Sequence, residues 1–150
     1  MKVSERANYI SRWIMDYCVL SKNNPKSLII GVSGGIDSSV ASTLCAKTGL
    51  KTIVVSMPIK QNKTQHNLSL DHIKWLKENY KNVESHIISL DEIFNVFQSS
   101  MNNFKNNLAF ANSRSRLRMA TLYQIAQYYA GIVVGTGNKV EDFGVGFYTK

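Results

Sequence analysis

Apolar residues recur at helical spacing through the first twenty positions. Tyr9, Ile10, Trp13, Ile14, Tyr17 and Leu20 share one stripe of a 3.6-residue turn and predict a helix over residues 4–21. Asn23, Asn24 and Pro25 end it. The pattern then shortens. SLIIGV (27–32), TIVVSM (52–57) and GIVVGT (131–136) are brief apolar runs suited to strands buried on both faces, and ESHIISL (84–90) reads likewise. Helical periodicity occupies residues 38–48, about 66–80 and about 112–130 between them. Strands alternating with helices predict an α/β fold: a doubly wound, Rossmann-like parallel sheet flanked by helices, with short right-handed crossovers. Residues 98–107 (QSSMNNFKNN) are polar and asparagine-rich, and are read as a mobile loop.

A chain of 150 residues is the size of one domain, and 44% hydrophobic with 19% charged residues excludes a disordered or fibrous class. The N-terminal stripe carries scattered charges, unlike a signal peptide. No run approaches the roughly 18 apolar residues of a membrane span, so a soluble protein with no membrane partner is expected. Cys18 and Cys45 match no metal spacing and fit buried thiols of a reducing cytoplasm. A net charge of +8 favours an anionic partner: a nucleic acid, a nucleotide or a phosphorylated metabolite. No helix follows the run at 131–136, and an open sheet needs both faces covered. The chain is therefore expected to be the N-terminal part of something longer.

Three stretches carry chemistry. The first is GVSGGIDSS, residues 31–39, where glycines follow a buried strand and open a helix. The N–H groups of such a turn, backed by the helix dipole, form an anion site. Neither a Walker A lysine nor a G-x-G-x-x-G fingerprint is present. Gly31 to Gly35 also fit the G-x-S-x-G of a hydrolase elbow, but the turn follows the first strand, so no earlier strand supplies an oxyanion loop. His66, His72 and His86 lie in or beside element bodies, as surface or satisfied residues would. Asp37, in the first helical turn, either caps the helix or shares a bridging Mg²⁺ with bound phosphates.

The second stretch is ANSRSRLRMATLYQIAQ, residues 111–127. Arg114 and Arg118 share one face, while Arg116 points away with Asn112, Met119 and Tyr123. Two faces are open to two anions, or to one anion and a subunit partner. Arginine rather than lysine favours bidentate contacts to phosphate or carboxylate. On composition alone a solvated basic helix is the favoured alternative, and a nucleic-acid partner stays open here although no groove-reading or RNA-stacking motif accompanies the arginines. The third is IVVGTGNKVEDFGVGF, where a strand ends in Gly135, Thr136 and Gly137 and Glu141 follows. That loop leaves the same carboxyl edge as the first, so Asp37 and Glu141 can approach one metal–phosphate cluster; an ordinary exposed turn is the alternative.

In order, SGGIDS, NSRSRLRMATLY, VGTGNKVE and GFYTK resemble the ammonia-dependent NAD⁺ synthetases. The first motif is shared with the wider ATP-pyrophosphatase superfamily, including GMP synthetase, asparagine synthetase and tRNA-thiolating enzymes. The resemblance implies ATP-dependent adenylation of the carboxylate of nicotinic acid adenine dinucleotide, release of pyrophosphate, then displacement of AMP by ammonia to give NAD⁺. It implies that Ser33, Gly34, Gly35, Ser38, Gln65, Arg118 and Thr136 bind ATP, that Asn112 and Arg116 hold the dinucleotide, and that Asp37 and Glu141 bind Mg²⁺. No residue is implied as a nucleophile. It further implies a cytoplasmic homodimer built on the helix at about 112–130. Members of the family continue past GFYTK into a Tyr-Gly-Asp-Gly segment and another strand, so a chain ending at Lys150 is expected to lack part of the site. The same sequence also admits another adenylating enzyme of the superfamily, or a non-catalytic nucleotide-binding or dimerisation module.

Overall fold

The computed structural model describes residues 2–145. The N-terminal stripe forms α1 (Val3–Leu20), and the four short runs form β1 (Ser27–Gly31), β2 (Lys51–Ser56), β3 (Val83–Ile87) and β4 (Ile132–Val133). Between them lie α2 (Ile36–Lys47), α3 (Lys63–Asn79), α4 (Asp91–Ser100) and α5 (Asn107–Tyr128). A 3₁₀ turn spans Asn102–Phe104, and a π-helical turn spans Val140–Val145.

All strands are parallel in the order β3-β2-β1-β4, with Leu28 opposite both Thr52 and Ile132, and Ile53 opposite Glu84. Side chains alternate across the sheet. Leu28, Ile30 and Val54 face α1, α2 and α3 through Cys18, Cys45 and Leu76, while Ile29, Ile53 and Val55 face α4 and α5 through Phe94 and Ala126. The chain leaves β1 toward β2 on one face and returns to β4 over the other. The gap between the carboxyl ends of β1 and β4 is therefore the topological switch point, where such sheets bind ligands.

Several expectations needed correction. Residues 98–100 are the last turn of α4 and residues 102–104 a 3₁₀ turn, so the stretch 98–107 is mostly helical rather than a loop. Helix α4 was not predicted at all; its anchor is Phe94, 1% exposed, with Asp91 and Glu92 placed at the positive end of the helix dipole. Helix α5 starts at Asn107 rather than 112, because the Asn106 side chain accepts the Ala109 N–H at 2.9 Å and caps it. Of the run 131–136 only Ile132 and Val133 are strand.

The α1 stripe is buried only in part, at Ile10 and Ile14. Ser11, Ile14 and Cys18 meet the sheet side, with Ser11 Oγ donating to Leu44 O at 3.0 Å, while Trp13 and Tyr17 are 59% and 56% exposed and stack at 5.8 Å. Both cysteines are buried as expected, and burial next to Cys18 pushes the Cys45 thiol up to about 12, which leaves it unreactive.

His86 and His72 are satisfied, as read from the sequence, whereas the buried Nδ1 of His66 has no hydrogen-bond partner among the described residues. On β3, Glu84 joins Lys51 (3.0 Å), His86 (3.1 Å) and the Tyr129 hydroxyl, tying the sheet edge to the end of α5. His72 Nε2 lies 2.9 Å from the fully buried Ser42 Oγ, joining α3 to α2. Burial lowers the His72 pKa below its ordinary 6.5, outweighing the opposing Ser39 carbonyl. The folded state thus binds fewer protons there than the unfolded chain. This stability is complete above pH 6.5 and is lost as the pH falls through the lowered value. The melting temperature is expected to drop between pH 7.5 and pH 5.5, and to drop less in His72→Gln. Parallel pH dependences in the two proteins would remove His72 from this role.

Candidate functional site

Strand β1 hands over to α2 through Ser33, Gly34 and Gly35, the last being the α2 N-cap. Two hydroxyls close this turn. Ser38 Oγ donates to Gly35 O (3.0 Å) and accepts the Ser33 N–H (3.2 Å), while Ser33 Oγ accepts the Gly35 N–H (3.3 Å). A hydroxyl has one proton, and that of Ser38 is committed to Gly35. The 3.2 Å contact between the two hydroxyls is therefore donated by Ser33. With its proton held inside the loop and no base bonded to it among the described residues, Ser33 is not arranged as a nucleophile. The first N–H groups of α2 have no intrahelical acceptor, the general condition under which a helix start can receive an anion.

Gly34 sits at φ +89°, and a Cβ there would lie 2.2 Å from Gln65 O. The glycine thus lets the loop rest directly on the first turn of α3. Gly35 differs: its φ is −88°, and a Cβ would lie 3.4 Å from Ser33 Oγ, an ordinary contact.

Helix α5 supplies the facing wall. Arg114 and Arg118 line the same cleft as Ser33 and Ser38, and Arg116 is exposed outside it. Arg118 Nε donates to Met57 O at 3.0 Å, fixing the guanidinium between α5 and the end of β2. Burial, and then the neighbouring Arg114 charge, lower the Arg118 pKa from its ordinary value. Arg114 lies over the Phe94 ring at 5.5 Å.

The loop after β2 closes the third side. Gln61 Nε2 donates to Ser33 O at 2.8 Å, while the Lys60 N–H reaches Asp91 Oδ1 at 2.5 Å and Lys60 Nζ reaches Gln98 Oε1 at 2.7 Å. The unpredicted α4 thus braces the loop that holds the glycine turn. Gly135 and Thr136, following β4, complete a cleft of about 810 Å³. Small-molecule sites occupy about 300–1,000 Å³.

Five of the predicted residues line this cleft: Ser33, Ser38, Gln65, Arg118 and Thr136. Gly34 and Gly35 form the turn beneath it. Asp37 is half-buried on the first turn of α2 and accepts a hydrogen bond from Asn138 Nδ2 at 3.3 Å. Glu141 is exposed, and its N–H donates to Asn138 Oδ1 at 2.9 Å. Among the described residues no group of three or more acidic, histidine or cysteine side chains could hold a metal by itself. Asn112 and Arg116 are outside the cleft, on the α5 face where Met119 and Tyr123 are 51% and 61% exposed. The GFYTK motif, residues 146–150, lies outside the described residues.

Sequence reasoning did not assign Gln61, Arg114 or Asn138. Arg114 was legible from its i, i+4 relation to Arg118, and Asn138 from its capping position three residues before Glu141. Gln61 carried no local signal, since its partner is 28 residues away.

The NAD synthase family model matches residues 6–150. The chain belongs to the NAD synthase family. NH(3)-dependent NAD(+) synthetases from Saccharolobus solfataricus and Mycoplasma genitalium are 37% and 34% identical to it, over 95% and 94% of this chain and 49% and 55% of theirs. The NMN synthetase of Francisella tularensis superposes with a TM-score of 0.88 at 34% identity, over 100% of this chain and 60% of its own. The NH3-dependent NAD synthetase of Campylobacter jejuni, solved with nitrate, superposes with 0.85 at 28% identity, over 99% and 62%. The chain thus spans about half to 60% of the length of these NAD synthase relatives. The parallel α/β architecture of the family is the one predicted. Among the described residues no helix is long and apolar enough to cross a membrane.

Proposed function

We propose that this chain carries the nucleotide-activating part of an ammonia-dependent NAD⁺ synthetase, which converts the carboxylate of nicotinic acid adenine dinucleotide to the amide. The carrying observation is the convergence of the self-closed serine–glycine turn, the Arg114–Arg118 pair and the loop after β4 on one cleft at the switch point. In this reading ATP lies with its phosphates against Ser33, Gly34, Gly35 and Ser38, and Gln65, Arg118 and Thr136 contact it from the other walls. A substrate carboxylate oxygen attacks the α-phosphorus and pyrophosphate leaves. Ammonia then attacks the acyl carbon of the mixed anhydride, and AMP leaves. Neither step needs a protein nucleophile, in keeping with the committed proton of Ser33. The chain's contribution is to orient the phosphates and to stabilise charge on the departing pyrophosphate.

Mg²⁺ fits the donor set. This ion is commonly held by one or two carboxylates together with substrate phosphates and water, rather than by an all-protein cage. In this reading Asp37, whose carboxylate accepts from the Asn138 amide, and Glu141, whose main-chain N–H donates to the same side chain, would supply the two carboxylates. When bound, the ion would neutralise charge on the leaving phosphates. The exposed α5 face bearing Asn112, Arg116, Met119 and Tyr123 is assigned to a homodimer contact and to the dinucleotide, in a cytoplasmic enzyme with no nucleic-acid partner.

Supplied with ATP, Mg²⁺, ammonium and nicotinic acid adenine dinucleotide, the protein should form NAD⁺, AMP and pyrophosphate in equal amounts. The Francisella neighbour favours a second acid, nicotinic acid mononucleotide, whose amide is NMN. Running both acids in parallel decides between them. ATP binding by calorimetry without turnover on either acid would leave only a nucleotide-binding module.

A further inference from the structure

Asn138 lies in the VGTGNKVE stretch, yet neither the glycine-loop chemistry nor the arginine pair explains it. Its surroundings are built around a single side-chain amide. The oxygen, Oδ1, accepts the Glu141 N–H at 2.9 Å, and the main-chain oxygen of the same residue accepts the Asp142 N–H at 2.9 Å. The first turn of the Val140–Val145 helix is therefore founded on Asn138, as a capped helix start requires. The Asp142 carboxylate folds back over Gly137, where a Cβ would lie 2.5 Å from Oδ2, so the turn is packed as well as hydrogen-bonded. The nitrogen, Nδ2, takes no part in this cap and points the other way, to Asp37 Oδ2 at 3.3 Å.

That second bond joins segments 101 residues apart. On one side is the first turn of α2, directly after the glycine turn. On the other is a loop with two glycines, Gly135 and Gly137, leaving a strand of only two residues. Such a loop is costly to order, because glycine loses more conformational freedom on folding than any other residue. The sheet fixes its start through the Val134 N–H, which donates to Ile29 O at 2.8 Å. The Asn138 amide joins its far end to α2.

We propose that Asn138 is a positioning residue that ties the loop after β4 to the first turn of α2, presetting Asp37 and the Glu141-bearing helix relative to each other before ligand arrives. The purpose of the tie rests on the reading of Asp37 and Glu141 as metal ligands. The tie itself is a property of the unliganded chain and can be tested there.

A helix cap needs only the oxygen of residue 138, and Asp caps as well as Asn does. A tie to Asp37 needs the nitrogen. Asn138→Asp keeps the cap and sets two carboxylates against each other, so the unliganded protein should melt lower by about 3 °C or more, as loss of roughly 1 kcal/mol or more does at this chain length. Asp37→Asn combined with Asn138→Asp restores a donor and an acceptor with their roles exchanged, and should recover most of that loss. Recovery in the double variant beyond the sum of the two single changes is the expected result. An Asn138→Asp protein as stable as the wild type, or a double variant no better than additive, would overturn the tie.

Calorimetry with Mg·ATP on the same proteins separates the two ideas. The double variant should regain stability and still bind Mg·ATP at least tenfold more weakly, because the Asp37 carboxylate is gone. Regained stability with undiminished Mg·ATP affinity would uphold the tie and remove Asp37 from the metal site.

Discussion

Gly34→Ala is expected to lower the melting temperature by on the order of 10 °C, or to leave too little folded protein to purify. Two costs combine. A residue with a side chain held at φ +89° occupies the left-handed region, at about 1–2 kcal/mol. The new Cβ would also lie 2.2 Å from Gln65 O and 3.2 Å from Ser69 N. Both are backbone atoms of α3, so relief requires moving that helix off the sheet, where Ile73 and Leu76 are buried. Overpacking against a fixed neighbour adds roughly 1–3 kcal/mol. Together these approach the 5 kcal/mol or so at the lower end of whole-domain stability.

Gly35→Ala provides the contrast that gives this result its meaning. Its backbone is extended and its Cβ meets only Ser33 Oγ at 3.4 Å, so the loss is about 0.5–1 kcal/mol for replacing glycine at an N-cap. The methyl group would instead sit beside Ser33 Oγ, on the turn against which the proposed function sets the ATP phosphates. This variant should fold and melt within a few degrees of the wild type while its affinity for ATP, measured by calorimetry, falls at least tenfold. Equal melting temperatures for the two variants would show that the loop does not bear on α3 as described.

The same pair shows what could be read from residues alone. Both glycines were legible as parts of a phosphate turn, because the turn is local: strand, small residues, helix. That Gly34 serves the packing of α3 was not legible, since the atom it avoids belongs to Gln65, in another element. Strands β1 and β2 were readable because Leu28 to Ile30 and Ile53 to Val55 are buried on both sheet faces and need no polar alternation. Helix α4 was invisible because a single residue, Phe94, is its buried anchor, while its neighbours Ile93 and Val96 remain 55% and 69% exposed. Its role as a brace for Lys60 depends on Asp91 and Gln98, whose partner is 31 and 38 residues away. Chemistry placed on adjacent residues survives as a motif. Chemistry assembled across loops, as by Gln61, does not.

Asp37→Asn should reduce pyrophosphate release by roughly 10²-fold or more while shifting the melting temperature by only a few degrees. The substitution keeps the shape of a half-buried side chain, and the amide oxygen it introduces can still accept from Asn138 Nδ2, so the contact between the two loops survives. What is lost to folding is one negative charge near the N-terminus of α2, worth about 0.3–1 kcal/mol at an accessible position. What is lost to catalysis is larger, because an amide oxygen is a poor substitute for a carboxylate on a divalent ion that must hold the phosphates as charge accumulates on them. Removing a single preorganised electrostatic contact of this kind costs about 10²–10³ in turnover elsewhere. The defect should appear in turnover at saturating ATP, and extra Mg²⁺ should recover part of it by mass action. Turnover within twofold of the wild type, with folding intact, would reduce Asp37 to a helix-capping charge and leave the glycine turn and Arg118 to carry the phosphates alone.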